Sequence, residues 1–269
     1  MRYKLLPLLF IVLSVVVTAS QMAGMSEAGA AVAYGFDAVL NNPAALAKQN
    51  ERLLGGSYTF YGQTKVVLGY LEPGLSDLYK PEISNFRLAG GLTWLRDLGT
   101  AAENQYYYTV VFCSNPVYGG VNLIYKRGTE ISYGMDLAVG ADWFDRLTTA
   151  VVVKDIMTWT GVKNAPISSS PLVRLALAYK INDPLTISFD TAATADKKAN
   201  FSLGGAYTTN SFAFRGGLLV DSSFKKYIPS LGFSYLGKQG TRGSYSLDLS
   251  LRYQDKKIGH SAGFSYSFF

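Results

Sequence analysis

The sequence contains little of the chemistry that enzymes, metal centres and disulfide-rich domains require. Its 269 residues include one cysteine, Cys113, and one histidine, His260, and only 16% of the residues are charged. A single cysteine excludes an intramolecular disulfide framework. One cysteine and one histidine, far apart in the chain, are too few for a zinc site. The low charge content is unusual for a soluble domain of this length, and we expect neither a metal nor a cofactor.

After residue 17, the sequence contains no long apolar run. Arg2 and Lys4 flank the start of an apolar stretch from residue 5 to 17, and Val17-Thr18-Ala19 supplies small residues for cleavage. This pattern is typical of a secretory signal peptide, which we predict at residues 1–19. No later segment offers the roughly eighteen apolar residues of a membrane-spanning helix. We therefore expect an exported protein without helical spans, located in the bacterial outer membrane after signal-peptide cleavage.

Alternation of apolar and polar residues is the feature that the sequence has in abundance. Residues 245–253 read Tyr-Ser-Leu-Asp-Leu-Ser-Leu-Arg-Tyr, so a strand would have one hydrocarbon face and one face able to line water. Similar runs recur, and we count about fourteen between Arg52 and Phe269. We predict an all-β fold, a transmembrane antiparallel up-and-down β-barrel over residues 52–269. Its first strand, Arg52–Phe60, should pair with its last, Ile258–Phe269.

Many charged residues fall on the polar faces of these predicted strands. An arginine at mid-depth on the lipid face costs about 2–4 kcal/mol, whereas charges of both signs in a lumen can pair with one another and with a plug. We therefore predict that these side chains line the lumen: Lys65, Arg87, Asp136, Arg174, Asp190, Arg215, Asp248 and Arg252.

Residues 20–51 differ in kind from the strands. They are rich in alanine and glycine and lack a period of two, which favours short helices. We predict that this segment is a hatch inside the barrel or its mouth, because alanine and glycine surfaces pack closely and the lumen must be filled. Pro43 fixes its own φ and keeps Asn42 out of the helical region. The triplet Asn42-Pro43-Ala44 should thus be a turn between two helical pieces, with the Asn42 amide bonded to free backbone groups.

Within residues 24–46, the arrangement of Asp37 five residues before the triplet Asn42-Pro43-Ala44 resembles a known motif. It is similar to the N-terminal motif of the outer-membrane transporter superfamily typified by the long-chain fatty-acid transporter FadL. In size the chain is closer to the small PorV/PorQ-type and UPF0164-type members. The resemblance implies fourteen strands, an internal hatch with Asp37, Asn42, Pro43 and Ala44 as its motif, and release of cargo sideways through the wall. The large capture loops of the longer transporters have no counterpart in this sequence.

Catalysis has weak candidates. His260 falls on the same predicted apolar face as Phe264 and Tyr266. A Ser-His-acid hydrolase instead needs its imidazole beside an oriented carboxylate. Glycosidase chemistry could draw on Asp136, Asp190 and Asp248, but nothing in the sequence specifies their separation. We therefore expect no enzymatic activity and no catalytic residues.

Two functions from different classes remain. The first is a passive channel for small hydrophobic or amphipathic molecules, and the second is a non-transporting structural or adaptor barrel of a secretion or envelope system. A general porin ranks third because of the hatch. Expected partners are outer-membrane lipid, a hydrophobic small-molecule ligand, envelope proteins and the barrel-assembly machinery, which would recognise the aromatic C-terminal strand. Basic residues are scattered along the sequence, so nucleic acid is not expected.

Overall fold

The computed structural model describes residues 22–60, 64–72, 87–98, 103–160, 170–194, 197–238 and 243–268. Side chains at positions 87, 88, 197, 198 and 238 lie outside this description, as does the predicted signal peptide. Among the helices of the described ranges, none is both long enough and apolar enough to cross a membrane.

Fourteen antiparallel strands make one closed barrel in which each strand pairs with its sequence neighbours. The first strand pairs with the last, from Arg52 opposite Phe268 to Phe60 opposite His260. The predicted architecture, strand number and closure are therefore confirmed. The strands are β1 (Arg52–Phe60), β2 (Thr64–Glu72), β3 (Arg87–Asp97), β4 (Glu103–Ser114), β5 (Val117–Arg127), β6 (Ile131–Trp143), β7 (Leu147–Thr160), β8 (Leu172–Lys180), β9 (Leu185–Thr194), β10 (Lys197–Thr208), β11 (Phe212–Asp221), β12 (Tyr227–Lys238), β13 (Gly243–Gln254) and β14 (Lys257–Phe268).

The outer face of the barrel is a band of exposed hydrocarbon. Alternate residues of the strands place large apolar side chains outward, and tyrosines and tryptophans lie closer to the strand ends, where an aromatic belt meets lipid headgroups. Such a surface is stable in a bilayer, because closure satisfies every strand edge and lipid covers the apolar face. Exposed residues of the band include Leu54, Leu68, Leu92, Val110, Leu123, Val139, Val151, Leu175, Phe189, Leu203, Phe214, Leu231 and Leu249.

The hatch, residues 22–51, lies inside the barrel and shares the apolar core with the inner face of the wall. It contains 3₁₀ turns at Ala23–Met25, Ala30–Val32 and Pro43–Lys48, and one helix, α1, at Phe36–Asn41. Its alanines are almost fully buried against the wall. The wall meets it with glycine: a Cβ at Gly120 would lie 2.5 Å from the Ala44 nitrogen. The small residues on both sides allow backbone to pack against backbone.

Strand β7 contains the main irregularity of the described wall. Pairing with β6 shifts between Met135 and Leu137, so that β7 has extra residues around Lys154 and Asp155. Asp155 has a positive φ of 51°. A bulge of this kind re-aims side chains, and here both Lys154 and Asp155 line the lumen cavity.

Candidate functional site

The hatch is anchored to β9 by a carboxylate. Asp190 is buried, and its two oxygens accept hydrogen bonds from the backbone N–H groups of Gly29 and Ala30, each at 3.0 Å. Gly29 has φ of 100°, a conformation that glycine adopts without strain. This backbone conformation turns two consecutive N–H groups toward one acceptor.

The triplet Asn42-Pro43-Ala44 lies where α1 ends and the last 3₁₀ turn begins. Asn42 has φ of −157° and ψ of 85°, outside the helical region. Its Nδ2 donates to the Ala30 carbonyl at 2.8 Å, which ties two parts of the hatch together. Asp37, one turn earlier, accepts a hydrogen bond from the Met22 backbone nitrogen at 3.1 Å. These residues shape the hatch itself and set its position against β5.

Glu27 of the hatch contacts two arginines of the wall, Arg174 and Arg252. Its Oε1 accepts a 2.6 Å hydrogen bond from Arg252 Nη1 on β13, and its Oε2 lies 3.9 Å from Arg174 Nη2 on β8. The Glu27 side chain is 42% exposed, whereas those of Arg174 and Arg252 are 8% and 11% exposed. One hatch carboxylate therefore supplies counter-charge to two nearly buried guanidinium groups on different strands.

A second polar cluster joins α1 to strands β5, β6 and β7. Asn122 Nδ2 donates to the Val39 carbonyl at 2.8 Å and to Asp136 at 3.1 Å. Asp136 also accepts the backbone N–H of Asp155 at 2.9 Å, which fixes the β7 bulge. Lys154 Nζ donates to the Leu40 carbonyl at the end of α1, at 2.8 Å. The bulge thus supplies a cation to the C-terminal end of the helix, where carbonyls are free to accept.

Arg215 and Asp248 form a pair within the wall. Arg215 donates to Ser234, Ser234 donates to Asp248, and the Arg215 and Asp248 side chains approach to 3.7 Å. Ser246 adds a 2.9 Å hydrogen bond to Asp248. Both charges are buried and compensate each other, as buried ions require.

The structure places the described side chains of the predicted lumen set inside the barrel. Lys65, Asp136, Asp248 and Arg252 line the cavity described below. Arg174, Asp190 and Arg215 are enclosed by the contacts given above. Arg87 pairs in register with Cys113, but its side chain lies outside the described set.

Beside the hatch lies a cavity of about 680 Å³. It extends from Lys65, near the end of the barrel opposite the chain termini, to Ser267, near the end where β1 begins. Along β13 and β14 the wall carries paired serine hydroxyls, such as Ser246 and Ser265 at 2.8 Å. The remaining lining is amphipathic: apolar residues Phe36, Leu40, Leu53, Val67, Leu95, Tyr107 and Ile124 alternate with charged residues Glu27, Asp97, Lys126, Lys154 and Asp155.

Five charged residues of this site escaped sequence reasoning: Glu27, Asp97, Lys126, Lys154 and Asp155. Glu27 is the single acidic residue between the predicted cleavage site and Asp37, and that isolation in an alanine-rich segment is a usable signal. Lys126 follows the apolar run at the end of β5, where alternation alone did not single it out. Lys154 and Asp155 are adjacent, so strict alternation would have sent one of them to lipid. The bulge breaks that rule.

The groups considered for catalysis do not form a reactive arrangement in the described ranges. His260 is exposed on the outer face, with its ring 5.5 Å from Phe60 and 6.4 Å from Tyr58. No group of three or more His, Cys, Asp or Glu side chains is placed to hold a metal among the residues that the structure describes.

The closed fourteen-stranded barrel, its apolar outer face and the N-terminal segment inside its lumen define the class of this protein. It is a membrane barrel with an internal hatch. No protein-family model matches the chain, and no curated protein sequence does either.

Solved structures do match. The CymD monoaromatic hydrocarbon channel is 13% identical with a TM-score of 0.66, covering 95% of this chain and 98% of that one. The Pseudomonas putida toluene transporter TodX is 11% identical with a TM-score of 0.58, covering 95% and 99%. A Pseudomonas aeruginosa FadL homologue is 12% identical with a TM-score of 0.57, covering 94% and 98%. Identities this low show a shared fold, and the expected FadL-like fold is confirmed.

Proposed function

We propose that this protein is an outer-membrane passive channel for small hydrophobic or amphipathic molecules, with residues 22–51 as its hatch. The observation that carries the proposal is the amphipathic cavity of about 680 Å³ between the hatch and the wall. Ligand pockets commonly have volumes of roughly 300–1,000 Å³ and combine apolar walls with a few polar groups. The similar folds of a monoaromatic hydrocarbon channel and a toluene transporter support the same class of cargo.

In this proposal the hatch sets what passes. Met22, Glu27, Phe36 and Asp37 form the hatch side of the cavity. A molecule with an apolar body can lie against Phe36 and the apolar wall while its polar end contacts serine hydroxyls or lysine. The hatch must then move from the wall to let the molecule pass. Binding and displacement need no covalent step, and we propose that the chain is not an enzyme.

One observation favours the alternative, a structural or adaptor barrel with a permanently closed hatch. The hatch is held at separate places on the wall, by Asp190 on β9, Arg252 on β13 and Asn122 on β5. The contacts of Asp190 and Arg252 are charge-assisted, and hydrogen bonds of this kind are stronger than neutral ones. The channel proposal requires that they open together at least transiently.

Uptake by liposomes separates the two functions. The purified protein is reconstituted into liposomes that enclose serum albumin, and 8-anilinonaphthalene-1-sulfonate is added outside as an amphipathic probe. If the protein is a channel, the fluorescence of the albumin-bound probe rises faster than in protein-free liposomes. Deletion of residues 22–46 then makes this fluorescence rise faster still. Glucose uptake is the polar comparison, and heat-shifted gel mobility verifies that the shortened barrel is folded. A folded protein that admits no probe, with or without the segment, contradicts the channel proposal and supports the adaptor.

A further inference from the structure

The topology gathers lysines that are far apart in the sequence. Two hairpins, β11–β12 and β13–β14, are consecutive in the barrel and turn at the end opposite the chain termini. Each carries two adjacent lysines at its turn. We call these four residues the lysine rim: Lys225, Lys226, Lys256 and Lys257. Lysines from two separate parts of the sequence therefore lie on neighbouring turns at one end of the barrel.

Acidic residues compensate only half of this charge. The two turns carry Asp221 and Asp255, so four lysines less two aspartates leave a net charge of +2. Lys226 Nζ pairs with Asp255 at 3.0 Å. That hydrogen bond, together with one from Gln254, holds the pKa of Asp255 below its usual range. Lys225, Lys256 and Lys257 are exposed and have no ion-pair partner among the described residues.

The other end of the barrel has a different pattern. There Lys180 pairs with Asp183 at 2.9 Å, Lys48 with Asp142 at 2.5 Å, and Arg52 with Glu72 at 2.9 Å. Each of these cations has its own acidic partner on the protein. These three pairs are balanced in charge, unlike the exposed Lys225, Lys256 and Lys257 of the lysine rim.

Beside the rim, the barrel presents apolar and aromatic side chains at the same level. Phe224 is 65% exposed and lies 6.5 Å from Phe201 in a stacked arrangement. Tyr227 and Ile258, which follow the lysines of their hairpins directly, are also exposed. Lysine ammonium groups beside outward-facing aromatic side chains fit a lipid surface. The aromatic rings can lie among the acyl chains while the ammonium groups lie among the phosphates.

We propose that the lysine rim is a binding site for lipids whose headgroups carry phosphate and net negative charge, and that it binds them at one sector of the barrel. The lipid occupies the outer edge of the hairpins, with its phosphate near Lys225 and Lys256 and its acyl chains against Phe224 and Ile258. This inference requires that the barrel spans a membrane, and it is independent of whether the lumen transports anything.

Native mass spectrometry in neutral detergent tests the site directly. Dioctanoyl phosphatidylglycerol is titrated against the whole protein, with dioctanoyl phosphatidylcholine and inorganic phosphate as comparison ligands. We expect tight adducts with phosphatidylglycerol, weak ones with phosphatidylcholine, and no competition by phosphate at equal concentration. Equal affinity for the two lipids overturns the proposal. Competition by free phosphate overturns the assignment to lipid and leaves an anion site.

Matched variants locate the binding. K225Q/K256Q removes two charges from the outer edge of the rim, and R146Q/K180Q removes two from exposed turns at the other end. At about 1 kcal/mol per basic residue near an anionic surface, the rim variant should bind phosphatidylglycerol roughly 10- to 30-fold more weakly, and the control should be unchanged. K225Q alone should lose roughly fivefold, which keeps the test decisive if the double variant folds poorly. Equal losses in rim and control variants overturn the proposal.

Discussion

Replacing Asp190 with asparagine removes the charge that holds the hatch against β9. The carboxylate accepts two backbone hydrogen bonds, from Gly29 and Ala30, at 3.0 Å each. Asparagine has nearly the same shape but only one acceptor oxygen. Its amide nitrogen would face one of the two N–H donors, so that one hydrogen bond is lost and the other becomes neutral.

The size of the effect follows from these contacts. Hydrogen bonds to charged groups contribute about 1.5–3 kcal/mol each, and neutral ones about 0.5–1.5 kcal/mol. The exchange therefore loses roughly 2–4 kcal/mol of hatch docking, and the lower desolvation cost of a neutral side chain offsets part of it. We expect a net loss of about 2 kcal/mol. Since about 1.36 kcal/mol corresponds to a factor of ten, the undocked population should rise roughly 30-fold.

Hydrogen–deuterium exchange of the reconstituted protein measures this population, because amide exchange reports local opening. Peptides covering residues 23–48 should exchange faster in D190N, while strand peptides remain protected. D248N is the matched control: Asp248 is also buried, and its hydrogen bonds come from the wall residues Ser234 and Ser246. Unchanged hatch exchange in D190N, or an equal rise in D248N, would refute the anchoring role of Asp190.

Three further substitutions test the packing of the hatch, the contact of Glu27 with the wall arginines and the lipid-facing side of the barrel. G120A puts a Cβ 2.5 Å from the Ala44 nitrogen and should lower the free energy of unfolding by about 1–3 kcal/mol. In G205A the nearest neighbour of the new Cβ would be 3.8 Å away, so this control should leave the free energy of unfolding almost unchanged. E27Q leaves two buried guanidinium groups with less counter-charge and should raise hatch exchange several-fold; no change would show that Glu27 is only a solvated lumen residue. L231R places a charge at a side chain that is 68% exposed on the outer face and should cost about 2–4 kcal/mol in lipid refolding titrations, with L231A as the control. If L231R left the free energy of refolding unchanged, this face would not contact hydrocarbon.

The barrel could be predicted from sequence because the bilayer imposes a simple rule. A strand with lipid on one side and polar groups on the other must alternate, so residues 245–253 revealed both faces of β13. Closure followed from the need to satisfy the edges of β1 and β14. The helical break at Pro43 was equally local, since proline restricts its own φ and the residue before it.

The remaining features depend on contacts between distant parts of the chain. Glu27 meets Arg252 across 225 positions, and no local pattern encodes that distance. Lys154 and Asp155 line the cavity because of a bulge, which breaks the regular alternation of the strand. The lysine rim required the order of strands around the barrel. Sequence reasoning identified Asp190 as a lumen residue, but only the structure identifies the two N–H groups that it binds.

A reversible tether between hatch and wall tests the central claim, that hatch movement controls passage through this barrel. Ser26 Oγ and Ser230 Oγ lie 2.8 Å apart, so S26C/S230C in a C113A background can form a disulfide. S250C/S261C, whose hydroxyls are 2.6 Å apart on β13 and β14, cross-links the wall alone. We predict that oxidation of S26C/S230C lowers uptake of 8-anilinonaphthalene-1-sulfonate to the protein-free rate, that dithiothreitol restores it, and that the wall cross-link has no effect. Uptake that is the same in the oxidised and reduced tethered protein would contradict the account.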